Sequence, residues 1–141
     1  MTRMNEEYKA RILVIDDDRF FRELLRVHLT SAGYAVQVAE DAVEGGKALL
    51  QPDFDLVLCD INMPYLSGLE LVAALRATAD TASIPVIFAS SRKDSETLMH
   101  TEKLGAAGYL VKPFRIEELL ETVARCLTGS KGQDPAADSK T

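Results

Sequence analysis

Four short apolar runs in this chain each end in a side chain able to handle a charged oxygen group. Ile12-Leu13-Val14-Ile15 is followed by Asp16 and Asp17, and Leu56-Val57-Leu58-Cys59 by Asp60. Ile84-Pro85-Val86-Ile87-Phe88-Ala89 is followed by Ser90, and Gly108-Tyr109-Leu110-Val111 by Lys112. A short unbroken apolar run reads as a strand buried on both faces, as in a parallel sheet. Open α/β sheets place their ligands beyond the carboxyl ends of such strands. A carboxylate there can accept a phosphoryl group as an acyl phosphate. Three carboxylates brought within a few ångströms require a compensating cation. A donor set of oxygens, without His or Cys, suits Mg²⁺, with Mn²⁺ able to take its place. Lys112 and the Ser90 hydroxyl are the groups that would neutralise the equatorial oxygens of a transferring phosphoryl group.

After the first run, Asp18 suits the N-cap of a helix over Arg19–Ala32, whose Phe21, Leu25 and Leu29 recur every fourth residue and which Gly33 stops. A second strand is expected over Tyr34–Ala39. Asp41 and Glu44 resemble a capping box opening a helix to about Leu50, weakened by Gly45 and Gly46 and ended by Pro52. Beyond Gly68, the stripe Leu69, Leu71, Val72 and Leu75 predicts a helix to about Thr78, and a more polar helix is expected from Ser95 to Leu104, closed by Gly105. Ile116, Leu119, Leu120, Val123 and Leu127 mark an amphipathic last helix. From Gly129 onward there is no large apolar residue, which predicts a polar tail over 129–141.

Five strands alternating with five helices call for an α/β fold, a doubly wound (βα)5 sandwich with helices on both faces of a parallel sheet. For five strands the common order is 2-1-3-4-5, the flavodoxin-like arrangement. In that order the first and third strands are neighbours at the switch point, and Asp16, Asp17 and Asp60 converge in one crevice.

At 141 residues one domain is expected, divided as an extension over 1–10, the folded unit over 11–128 and the tail. The net charge of -6 and the lack of a Lys/Arg cluster argue against nucleic acid as a direct partner. No apolar run is long enough to insert in a membrane, and residues 1–7 lack the apolar stretch of a leader, so a cytoplasmic chain is expected. Cys59 and Cys126 show no metal-ligand spacing and read as small buried hydrophobes. His28 and His100 stand at no strand end.

Taken together, Ile-Leu-Val-Ile-Asp16-Asp17-Asp18, Asp-Leu-Val-Leu-Cys-Asp60-Ile-Asn-Met-Pro64 with Gly68, Pro-Val-Ile-Phe-Ala-Ser90 and Gly-Tyr109-Leu-Val-Lys112-Pro113-Phe114 resemble the receiver domain of two-component response regulators, from about Arg11 to Leu127. The likeness is to the chemotaxis-regulator-like, single-domain type. It implies that Asp60 is the phosphoacceptor. Asp17 would ligate Mg²⁺ directly, Asp16 mainly through water, and the Asn62 backbone carbonyl would complete the protein ligands alongside Asp60. Ser90, Ser91 and Lys112 would bind the phosphoryl group, Ser90 and Tyr109 would form the switch pair, and the Lys112–Pro113 bond would be cis. The resemblance further implies a sensor histidine kinase or histidine phosphotransfer protein as donor. A downstream protein would be met through the face of the fourth helix, fifth strand and fifth helix, with no helix-turn-helix pattern after that helix. Such a chain is not a turnover enzyme: its chemistry is self-catalysed phosphotransfer and slow autodephosphorylation.

Two departures stand out. Ser90 replaces the commoner Thr, keeping the hydroxyl and losing the stiffness of a β-branched side chain. Gly45-Gly46 interrupts the second helix and suggests that it is mobile. Phe20, beside the core residue Phe21, is expected to be partly exposed, and Arg92, two residues past Ser90, to influence water access. Two other functions fit less of the sequence. A phosphatase could use Asp16 and Asp18 as an Asp-x-Asp pair, but Phe20 stands where such sites carry Thr or Val. A receiver-like binding module independent of phosphorylation would have no use for the intact acidic set.

Overall fold

The computed structural model describes residues 8–51 and 53–129. Five strands, β1 (Arg11–Ile15), β2 (Ala35–Ala39), β3 (Leu56–Asp60), β4 (Val86–Ser90) and β5 (Gly108–Val111), alternate with five helices. These are α1 (Arg19–Ser31), α2 (Ala42–Ala48), α3 (Gly68–Arg76), α4 (Ser95–Lys103) and α5 (Ile116–Gly129). The sheet is parallel throughout, in the order β2-β1-β3-β4-β5. Ile15 pairs with Cys59 and Asp60 with Ala89, so the acidic ends of β1 and β3 lie side by side and Ser90 stands one step beyond Asp60.

The period of two along each strand divides the core. Leu13, Ile15, Val57, Cys59, Val86 and Phe88 face the side covered by Leu71, Val72 and Leu75 of α3 and by α2. Ile12, Val14, Leu56, Leu58, Ile87 and Leu110 face Leu25 and Leu29 of α1 and Leu119, Val123 and Cys126 of α5. Both faces of β3 and β4 are fully covered, which is why their sequences are continuous apolar runs. Cys59 and Cys126 are buried thiols, free of any disulfide, within these layers.

Several boundaries differ from the sequence expectation. Asp18 caps α1 as expected, its carboxylate accepting from the Phe21 N–H. Asp41 likewise accepts from the Glu44 N–H, but Glu44 turns to Lys47 at 3.4 Å, so only half of the expected capping box forms. The full capping box is at α3, where Ser67 Oγ accepts from the Glu70 N–H and the Glu70 carboxylate accepts from the Ser67 N–H. α3 stops at Arg76, and a single 3-10 turn over Ala79–Thr81 follows it. β4 begins at Val86, leaving Ile84 and Pro85 before the strand. The ending assigned to Pro52 and the readings of residues 1–7 and 130–141 lie outside the described residues. α5 carries through Gly129, where the tail was expected to begin.

α2 spans Ala42–Ala48 and ends short of Leu50. Its two glycines have different causes. A Cβ on Gly45 would fall on Ile15 Cδ1, so this glycine lets α2 approach β1 closely; a Cβ on Gly46 would meet only Leu71 Cδ1 at 3.8 Å. Close packing therefore accounts for the presence of Gly45, while the low helix propensity of glycine applies at both positions. Gly46→Ala is expected to stabilise the fold by about 0.5–1 kcal/mol, and Gly45→Ala to destabilise it by about 1–3 kcal/mol. Urea denaturation of the two variants checks the opposite signs.

Candidate phosphoacceptor site

The carboxyl ends of β1, β3 and β5 bring Asp16, Asp17, Asp60 and Lys112 together. One carboxylate oxygen from each of the three aspartates lies within 4.8 Å of the others. Asp16 is 2% exposed and Asp60 8%, while Asp17 opens to solvent. The Lys112 ammonium donates to Asp16 Oδ2 at 2.8 Å and stands 3.6 Å from Asp60 Oδ2. Asp16 also accepts from the Asp18 N–H at 2.9 Å, and the Arg22 guanidinium donates to the Asp16 backbone carbonyl at 2.8 Å. The loop that presents the acidic pair is therefore tied to α1 from both ends.

Asp60 is fixed by its own backbone. Its Oδ1 accepts from the Ile61 N–H at 2.7 Å, which sets the plane of the carboxylate and leaves Oδ2 facing Lys112. The Gly68 N–H donates to the Ile61 carbonyl, and a Cβ on Gly68 would overlap the Asp60 carbonyl oxygen. Glycine opens α3 because the helix start presses on the backbone of β3.

Burial is the first cause raising the Asp60 pKa to about 6, reinforced by the Asp16 and Asp17 charges and opposed by Lys112 and the Ile61 N–H. An unfolded Asp releases its proton near 3.9. Between about pH 4 and pH 6 the folded chain therefore binds more protons than the unfolded one. The associated stability is present below that window and is lost as pH rises through it. In EDTA, Asp60→Asn is expected to melt several degrees higher than the parent at pH 8, and the gap is expected to close near pH 4. Thermal denaturation across that range checks it; equal melting at pH 8 would contradict the raised pKa of Asp60.

The donor set fits a hard divalent cation: three carboxylate oxygens gathered with one lysine against them, and no softer ligand. Asn62 is exposed two residues past Asp60, in the loop between β3 and α3. In that loop Tyr65 takes left-handed backbone at φ 72° and is exposed, a feature without a signal in the sequence.

Ser90 is 1% exposed, and its Oγ accepts from the Arg92 N–H at 3.1 Å. The Tyr109 hydroxyl donates to the Arg92 carbonyl at 2.6 Å. The Arg92 backbone thus joins the two residues expected to form the switch, a link the sequence reading missed because it ran through Arg92 by side chain alone. Ser91, one residue past β4, is exposed. The Lys112–Pro113 bond is cis. Phe20 is 77% exposed on the first turn of α1. His28 on α1 and His100 on α4 lie away from the strand ends, His100 exposed. Asp18 is committed to capping α1 and does not join the acidic group, which removes the second carboxylate that an Asp-x-Asp phosphatase would need.

A family model described as the response regulator receiver domain matches residues 12–124. The response regulator MprA of Mycobacterium ulcerans is 40% identical over 131 residues, covering 92% of this chain and 56% of that protein. MprA of Mycobacterium tuberculosis is 39% identical over 127 residues, covering 90% of this chain and 54% of that protein. The chain thus spans about half the length of the curated relatives it matches. Among solved structures, Vibrio cholerae chemotaxis protein CheY4 aligns with a TM-score of 0.79 at 33% identity, over 83% of this chain and 98% of that one. The receiver domain of Francisella response regulator 1452 aligns with a TM-score of 0.81 at 30% identity, over 87% and 100% of the two chains.

Proposed function

The chain belongs to the response regulator receiver domain family, and on that footing we propose that Asp60 accepts a phosphoryl group from a histidine kinase or histidine phosphotransfer protein. The observation that carries this reading is the placement of Asp60 Oδ2, which faces the Lys112 ammonium at 3.6 Å inside a group of carboxylates. Asp60 attacks the phosphorus of a phosphohistidine. A P–O bond to the carboxylate forms as the P–N bond breaks, and the imidazole leaves with the electron pair and takes up a proton. The product is an acyl phosphate. Asp16, Asp17, Asp60 and the Asn62 carbonyl would hold Mg²⁺, which when bound supplies positive charge to the phosphoryl oxygens. Burial keeps Asp60 from hydration, the Ile61 N–H orients it, and Lys112 neutralises developing charge on the transferred group.

We assign this role to the receiver unit, residues 11–128. Phosphotransfer is followed only by slow loss of the phosphoryl group, so the unit is a switch and not a turnover catalyst. The signal leaves when the Ser90 hydroxyl, with Ser91 beside it, turns toward a phosphoryl oxygen. Ser90 Oγ and the Tyr109 hydroxyl are both bonded to the Arg92 backbone, so a shift of this segment moves Tyr109 and the start of α4 together. The face of α4, β5 and α5 then meets a protein target. An acidic chain makes neither nucleic acid nor an anionic membrane the direct partner, and among the described residues no helix is long and apolar enough to cross a membrane.

Titrating ¹⁵N-labelled protein with beryllofluoride and Mg²⁺, a phosphoryl mimic, tests the switch. Amide shifts are expected at Ser90, Arg92 and Tyr109 and along α4 to α5, with none in Asp60→Asn. Shifts confined to the loops around Asp60 would show an acceptor without this output.

A further inference from the structure

Lys112 is held on three sides. Its ammonium contacts Asp16 Oδ2 at 2.8 Å and Asp60 Oδ2 at 3.6 Å, and it lies 4.2 Å from the centroid of the Phe21 ring. The ring is itself fixed. Phe114, two residues past Lys112, meets it edge-on with centroids 5.5 Å apart and planes at 76°. Phe21 belongs to α1 and Phe114 to the segment entering α5, so an aromatic pair built from two elements forms the wall behind the lysine.

We propose that Phe21 is a positioning residue for phosphoryl transfer, its π face keeping the Lys112 ammonium beside Asp60 while lysine exchanges its Asp16 contact for a phosphoryl oxygen. This rests on the reading of Asp60 as the phosphoacceptor. The exchange costs lysine its strongest contact. Asp16 is its shortest partner, and the lysine side chain is already 21% exposed. A flexible four-carbon stem with a strongly hydrated head gains entropy and water by swinging outward once that partner is given up. The quadrupole of an aromatic face attracts the ammonium broadly across the ring. It therefore lets the head move by the small distance between Asp16 and a group on Asp60 without releasing it. An aliphatic residue of similar size would keep water out but offer the charge nothing. The sequence pattern makes Phe21 part of the apolar stripe of α1, and that packing role is real; the added role belongs to the face of the ring.

The test separates face from volume. Phe21 is replaced in the full chain by progressively fluorinated phenylalanines, which hold the shape and drain the π face, and by Tyr and Leu. Two quantities are read: the rate of phosphoryl uptake from acetyl phosphate at saturating Mg²⁺, and the ring-current shift of the Lys112 ε-methylene protons by NMR. The expected result is a graded fall with fluorination reaching about three- to tenfold, a similar loss in Phe21→Leu, and near-parental rates in Phe21→Tyr. The upfield shift of the Lys112 protons should vanish in Phe21→Leu. Rates that are flat across the fluorinated series in an otherwise active protein would overturn the role of Phe21, as would a Lys112 signal that shows no ring current in the parent. Failure of the parent chain to take up phosphoryl groups, with the ring-current shift present, would overturn the acceptor reading instead.

Discussion

Lys112→Met is expected to lower stability by about 2–3 kcal/mol at pH 8 without metal, and to slow phosphoryl uptake by about 10²-fold. Lys112 is the ammonium paired with Asp16 and the nearest cation to Asp60. Breaking a buried ion pair from one side costs about 3–5 kcal/mol, because the remaining charge stays buried. The figure here is smaller because Lys112 is partly exposed and Asp17 opens to water. Two further outcomes distinguish this cause from lost packing. Lys112 opposes the rise of the Asp60 pKa, so its removal raises that pKa further and the deficit shrinks as pH falls and Asp60 takes up its proton. Added Mg²⁺ should restore the variant by more than it stabilises the parent, since a cation replaces the missing counter-charge. A Lys112→Met chain with parental stability at pH 8 in EDTA would show that the lysine does not balance the acidic group.

Gly68→Ala is expected to cost about 3 kcal/mol, at the upper end for an added methyl group. The reason is what the methyl would meet. Most overpacked side chains can shift a neighbour's rotamer, but here the obstacle is the carbonyl of Asp60, with Cys59 Sγ also 3.0 Å away. Moving α3 outward would break the Gly68 N–H bond to Ile61 and disturb the Ser67–Glu70 capping box. Because Ile61 also orients the Asp60 carboxylate, the variant should lose phosphoryl uptake along with stability. Denaturant midpoints read the first effect. A loss below about 0.5 kcal/mol would mean that the turn relaxes freely.

The sequence revealed the site better than it revealed what holds the site in place. Asp16, Asp17, Asp60 and Lys112 could be placed because each follows an apolar run, and the strand order that brings them together is a rule of parallel sheets. Asp18 and Asp41 were visible as caps because capping acts over three residues. The contacts missed are those with no local pattern. Arg76 donates to the carbonyls of Ile84, Leu104 and Gly105, which ties the end of α3 to the turns before β4 and β5. Nothing near Arg76 in sequence indicates those partners. Gly45 shows a related limit: a glycine in a helix signals weakness from its propensity, and only the position of Ile15 shows that the space is needed as well. The Ser67–Glu70 box is the exception. Its Ser-x-x-Glu spacing is legible, but the Asn and Pro of the preceding loop mask the helix start.

The most direct test is intact-mass spectrometry of the full chain after incubation with acetyl phosphate and Mg²⁺. One added phosphoryl group is expected, none in EDTA, none in Asp60→Asn, and a hydroxylamine-labile product that maps to the peptide containing Asp60. An unmodified parent chain under those conditions would contradict it, and so would a phosphoryl group that persists in Asp60→Asn.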